Sequence, residues 1–145
     1  MKLGLVSLIV AGSILSINSA NLFAQEEASQ NKLKIVMQGL LKDSQSLNEG
    51  IFYENFSKIE QAAKNIADHP NPGQPTMKKV IGYLGKEMPV FKSLDIKVHN
   101  TAVFIVKAAR DKNMPLIVAS YHELIDGCQS CHSQFKARVS KILSE

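Results

Sequence analysis

The chain has 145 residues, 45% of them hydrophobic and only 6% aromatic, with 17 Lys and Arg against 13 Asp and Glu for a formal net charge of +4. That length suits one domain with one core. The basic residues fall singly or in pairs, without like-charge blocks or interleaved aromatics, so the charge does not point to a nucleic-acid partner.

At the N-terminus Lys2 precedes an uncharged apolar run from Leu3 to about Ile17, and small and polar residues follow. This is the pattern of a secretory signal peptide. The run is about fifteen residues, short of the ~20 that cross a bilayer, and no second long apolar run follows, so no membrane span is expected. The stretch "NLFA" before "QEE" places cleavage after Ala24, with Ala20 as second choice. Residues 1–24 are then a leader and 25–145 an exported domain, with a periplasmic location expected.

Strand signals are scarce and apolar residues recur at spacings of three and four, which predicts an all-α chain. A first helix runs from about Ser29 to Glu49, ended by Gly50, with Leu33, Val36, Met37, Leu40, Leu41 and Leu47 on one stripe. A second, "ENFSKIEQAAKNIADH", buries Phe56, Ile59, Ala63 and Ile66 and stops before "PNPGQP". Residues 70–94 read as a long connection with a helical stretch around Met77 to Lys86. Asp95 is expected to cap a third helix whose apolar face carries Val98, Ala102, Ile105, Val106 and Ala109. The fourth and longest opens at "NMP" and places Ile117, Tyr121, Leu124, Cys128, Phe135, Val139 and Ile142 on its apolar side. An antiparallel up-and-down four-helix bundle buries all four stripes.

Both cysteines of the chain lie in "CQSCH", as Cys128 and Cys131, with His132 directly after. Cys-x-x-Cys-His is the attachment sequence of c-type haem, in which the thiols add to two vinyl groups and the histidine becomes an axial iron ligand. On an α-helix the three side chains project at about 0°, 300° and 40°, so one face carries them all. Gly127 is expected to let a flat ring approach the backbone. Other readings of the pair fit less well. A thioredoxin-like motif sits after a strand at a helix N-terminus, a zinc site wants four ligands, and a disulfide between residues three apart on one helix constrains little. His122 is about 15 Å along the helix from His132 and out of reach of the same iron. His69 reads as a surface cap at a helix end and His99 as a histidine at the core edge.

A CxxCH within the last helix of a bundle, continued as "CHSQFK", resembles the class II cytochromes c, that is cytochrome c′ and its low-spin relatives. The resemblance implies one covalent haem c on Cys128 and Cys131, His132 as the proximal iron ligand, Phe135 and Lys136 flanking the proximal side, and a distal methionine drawn from the first helix. From the residues alone, Phe135 reads equally well as core and Lys136 as a solvated charge. Met37 is the candidate distal ligand. It lies about 12 Å from the start of the first helix and His132 about 16 Å from the end of the antiparallel last one, at similar height. Its thioether is a recognised haem ligand, although methionine also serves as ordinary gap filler in bundles. Where the cytochrome c′ pattern has an arginine four residues before the distal position this chain has Leu33, so that arginine's role does not carry over. The expectation is an exported one-electron carrier working with redox partner proteins, not an enzyme, with homodimerisation left open. The alternative is a five-coordinate, cytochrome c′-like protein that binds small gases such as nitric oxide, with Leu33 or Leu40 over the ring.

Overall fold

The structure, a computed structural model, describes residues 32–144. The predicted leader, its cleavage site and the first residues of the predicted first helix lie outside the described residues. Among those described, every regular element is helical: α1 (Lys32–Phe52), α2 (Phe56–Ala67), α3 (Gln74–Leu84), a 3₁₀ turn (Gly85–Glu87), α4 (Met88–Arg110), α5 (Met114–Cys131), a π-helical turn (His132–Lys136) and α6 (Ala137–Ser144). The all-α expectation holds, and the four long stretches pack against one another.

Local chemistry sets most of the boundaries. Asn55 caps α2, its side-chain oxygen accepting from the Lys58 amide at 3.0 Å, and Asn113 caps α5 in the same way from the Leu116 amide at 3.1 Å. Each satisfies one of the amides a helix start leaves without a partner. Pro115 sits in the first turn of α5, where its missing N–H costs nothing, as "NMP" predicts. Pro75 and Pro89 hold the same place in α3 and α4. Gly85, at φ 49°, turns the chain between α3 and the 3₁₀ segment in a conformation that favours glycine.

Two boundaries differ from the expectation. Gly50 does not end α1, which continues to Phe52. Instead Gly50 is buried because α2 crosses there: a Cβ at this position would lie 2.9 Å from the Ile59 Cγ1 and 3.1 Å from the Ile59 backbone nitrogen. Asp95 is no cap either, since α4 begins at Met88 and Asp95 lies in its second turn. The residues read as connection carry a stripe of their own, with Met88, Phe91 and Leu94 packing into a core cluster. That stripe runs on through Val98 and Ala102 at helical spacing, so 88–110 is one helix.

The core has two parts. The larger joins Leu47, Ile59, Ile105, Ile117 and Leu124, all at or near zero exposure, with Ala62, Ala63, Ala67, Ala102, Ala108 and Ala109 between them. Each fully buried aliphatic side chain contributes roughly 1.5–3 kcal/mol. Small residues let α2, α4 and α5 approach closely, and the main helix contacts are α4 with α5, α2 with α4, and α1 with α2, while α1 meets α5 only sparsely. The smaller cluster, Val80, Leu84, Phe135, Val139 and Leu143, ties α3 to the C-terminal end. The α1 stripe is divided between them. Val36 and Leu47 are buried, but Leu41 is 60% exposed and Met37 37%, so neither is the core residue that its spacing suggests.

Two glycines of α1 make a paired test. A Cβ added at Gly39 would meet nothing within 4 Å, whereas one at Gly50 would run into Ile59. Gly39→Ala should raise stability by about 0.5–1 kcal/mol through helix propensity. Gly50→Ala should lower it by about 1–3 kcal/mol, because the α2 backbone must give way. Urea unfolding of the two variants measures both signs, and equal effects would contradict the α1–α2 crossing.

Candidate functional site

The C-terminal helix from Met114 to Ser144 changes register at His132. Residues 132–136 form a π turn, and three side chains add donors to nearby carbonyls: Gln134 Nε2 to Ser130 at 2.8 Å, Ser133 Oγ to Ser130 at 3.2 Å, and Arg138 Nε to Gln134 at 3.2 Å. The core side of this helix explains the widened turn. Gly127, Phe135, Val139 and Leu143 are buried and Cys131 packs into the same cluster, a run spaced by four throughout. Steps of four drift about 40° each around an α-helix, and a turn holding more residues takes up that drift. The spacing of four was the available sign of this turn, and reading the stripe through Ile142 instead of the buried Leu143 passes over it.

Beside the π turn, the sparse contact between α1 and the C-terminal helix opens a groove of about 920 Å³, within the range of small-molecule and cofactor sites. Cys131, His132 and Phe135 line it from one side and Leu33, Met37 and Leu41 from the other, with Phe91 of α4 also contributing. The expected proximal and distal residues therefore share one groove. Phe135 is 2% exposed and stands edge-on to Phe91, with ring centroids 5.4 Å apart and planes at 86°. Arg138 lies over its ring, 5.2 Å from the centroid, and forks onto Glu87 at 3.0 and 2.7 Å. This clamp fixes Phe135 between the 3₁₀ turn and α4, so Phe135 is core and groove wall together. Lys136 is exposed at the rim.

The single-face expectation is met only in part. Cys128 is a half-buried free thiol, as is Cys131, but it does not line the groove. The groove takes the side of the helix bearing residues 131, 132 and 135, while α4 covers the side at 127. Gly127 accordingly serves a different close approach from the one expected: a Cβ there would meet the Val98 Cγ2 at 2.9 Å. The space belongs to a side chain of α4.

Burial sets the protonation of these groups. It pushes the Cys131 thiol up to about 11, with the Asp95 and Cys128 charges adding to the effect, and raises Cys128 as well. Both stay protonated at neutral pH, opposite to the depressed thiol of a disulfide oxidoreductase. Burial, and then Lys136, lowers His132, so its imidazole is neutral and offers a nitrogen lone pair. Among the described residues no group of three or more His, Cys, Asp or Glu is placed to hold a metal ion, and no helix is long and apolar enough to cross a membrane. The groove's lining offers one imidazole, one thioether and one thiol, beside the Gln38 amide and the Ser140 and Ser144 hydroxyls. No family model matches the chain, no curated protein matches it, and no solved structure matches it.

Two of the remaining histidines, His69 and His99, tie α2 and the segment after it to α4. His99 places Nδ1 2.7 Å from the Ala67 carbonyl and donates to it, closing the end of α2 from α4. His122 is exposed on α5. His69 goes beyond the surface cap expected of it. It is half-buried, with Nδ1 3.3 Å from the Pro70 carbonyl and Nε2 3.5 Å from an Asp95 carboxylate oxygen. Both neighbours are acceptors, so the doubly protonated ring suits the site, and Asp95 raises the His69 pKa above its ordinary 6.5 against an opposing effect of burial. A raised histidine pKa stabilises the fold fully below the unfolded value and loses that contribution as pH rises through the folded one. His132, with its lowered pKa, has the opposite sign, and comparison with a variant removes it. Asp95→Asn should therefore cost more in melting temperature at about pH 5.5 than at about pH 8.5. A loss independent of pH would break the His69–Asp95 linkage.

Proposed function

We propose that the chain is an exported monohaem cytochrome c of the class II type, built as an antiparallel up-and-down four-helix bundle and working as a one-electron carrier. The observation that carries this reading is the groove: Cys131, His132 and Phe135 from the last helix and Met37 from the first open onto one apolar space. The donor set fits the group. Neutral thiols would suit addition across vinyl double bonds, which changes no net oxidation state, and a neutral imidazole and a thioether would suit haem iron as donors. Cys128, a half-buried thiol one helical turn before the groove, would supply the second thioether.

When bound, haem supplies a one-electron couple. The chain's own residues hold and enclose it. Cys128 and Cys131 would hold it through thioether bonds, and His132 and Met37 would offer nitrogen and sulfur to its iron. Phe135, clamped by Phe91 and Arg138, would give the group a rigid wall, and Leu33, Leu41 and Phe91 would present apolar surface to it. Rigid surroundings favour electron transfer because little rearranges between the two redox states.

The attachment is tested by mass. Protein made in a host that matures c-type cytochromes, then denatured, should weigh as residues 25–145 plus one haem, and a bare-polypeptide mass would refute the reading. In the same measurement His132→Ala should leave most of the chain without haem.

A second reading is favoured by the exposure of Met37 and by Leu33 and Leu41 on the same wall, because an apolar side chain over the iron would make a gas-binding, five-coordinate site. Met37→Leu separates the two at little packing cost. If Met37 is the distal ligand, the wild-type ferric protein is low-spin and the variant becomes high-spin and binds carbon monoxide faster. A wild type already high-spin and unchanged by the substitution transfers the assignment to gas binding.

A further inference from the structure

We propose that His69 is a proton-uptake site coupled to the redox centre: with Asp95 standing between it and Cys131, it takes a proton from water when an electron arrives and returns it when the electron leaves. The proposal goes beyond electron carriage and rests on that reading.

Three elements bring the groups into line. α4 and the C-terminal helix run antiparallel, and two close approaches fix their register: Phe91 meets Phe135, and Val98 covers Gly127. Asp95, four residues on from Phe91, therefore comes level with Cys131, four back from Phe135. Leu94 and Cys131 belong to one core cluster, and the Asp95 charge is felt at the Cys131 thiol. From the segment that follows α2, His69 approaches the same carboxylate, its Nε2 3.5 Å from an Asp95 oxygen. Imidazole, carboxylate and sulfur thus lead from the α2–α3 connection to the groove.

The neighbouring charges leave Asp95 as the ionic partner of this imidazole. Asp68, beside His69 in the chain, is paired with Lys64, and His99 of α4 donates Nδ1 to the Ala67 carbonyl. Lys92 and His99 flank Asp95 one turn away on its own helix. The His69 side chain is only 19% exposed, so water screens a charge on it poorly, whereas Asp95 is 54% exposed and limits the size of the effect. An electron added at the group held by Cys131 places negative charge on the far side of Asp95, and a cation at His69 offsets it. One N–H bond forms, the proton comes from water, and the electron comes from one redox partner protein and passes to another. Asp95 already holds the His69 pKa above its ordinary 6.5, and reduction raises it further. The reduction potential is then flat below the pKa of the oxidised state, falls between the two values, and is flat again above that of the reduced state.

The test follows the mature haem-loaded protein. Its potential is titrated from about pH 5 to about pH 9, with His69→Gln, Asp95→Asn and His122→Gln beside the wild type, and proton NMR follows the His69 ring in both redox states. His69 should bind its proton about threefold more tightly in the reduced protein. The potential should fall with pH in the wild type and in His122→Gln. That fall should vanish in His69→Gln and move to lower pH in Asp95→Asn, where the partner that raises the pKa is gone and burial remains. Identical His69 titrations in the two redox states overturn the proposal, and so does a pH dependence that survives His69→Gln unchanged. The NMR comparison uses the wild type alone, so it decides the matter even where a variant fails to fold. Intact mass of the same sample reports haem. A bare-polypeptide mass overturns the carrier reading and this inference with it, whereas a haem-loaded protein without the coupling overturns this inference alone.

Discussion

Close packing through small residues is the constraint on which the rest of this protein depends. Alanines on α2 and α4, and Gly127 on α5, remove the side-chain volume that would keep these helices apart. Gly50 does the same where α1 meets α2. The helices are thereby drawn into one tight core around Ile59, Ile105 and Ile117. Contact that is concentrated there is not made between α1 and the C-terminal helix, and the groove lies where those two diverge. A bulkier seam would spread the helices more evenly and would leave no such unequal gap.

The second core cluster holds the groove open from below. Phe135 is fixed by an edge-on ring, a cation above it and an ion pair that ties the cation to the 3₁₀ turn. Around that fixed ring the π turn carries Cys131 and His132 to the groove while Gly127 remains under α4. A register change of this kind costs regular hydrogen bonding, and side chains of Ser133, Gln134 and Arg138 supply donors locally. Such turns are rare in helices and, where present, often lie at functional positions, and this one begins at the histidine of the only Cys-x-x-Cys-His in the chain.

Burial gives the site its chemical character. The same partial exclusion of water that raises both thiols lowers the imidazole, because in each case the charged form is the one disfavoured. Neutral sulfur and neutral nitrogen therefore sit together beside an apolar wall, while the ammonium groups of Lys34, Lys136 and Lys141 stay at the rim where water reaches them. Asp95, although exposed, joins the two regions: it pairs with His69 and its charge is felt at Cys131.

Much of this could be read from the chain alone. Apolar spacing of three and four determined the helical class, and Asn113 with Pro115 the start of the long last helix, because capping and proline geometry are local. The adjacency of Cys128, Cys131 and His132 is equally local, and so is the chemistry that it suggests. Other features depended on partners far along the chain. A glycine looks the same whether it ends a helix or admits another, and only the crossing of α2 showed Gly50 to be the second kind. Asp95 has a cap's side chain, but the stripe from Met88 carries the helix past it, and its partner is His69. Met37 and Leu41 belong to the apolar stripe by spacing; they stand exposed because none of the described helices covers that side of α1. Spacing determines which residues share a face, and tertiary packing alone decides whether that face is buried, left open or joined to another.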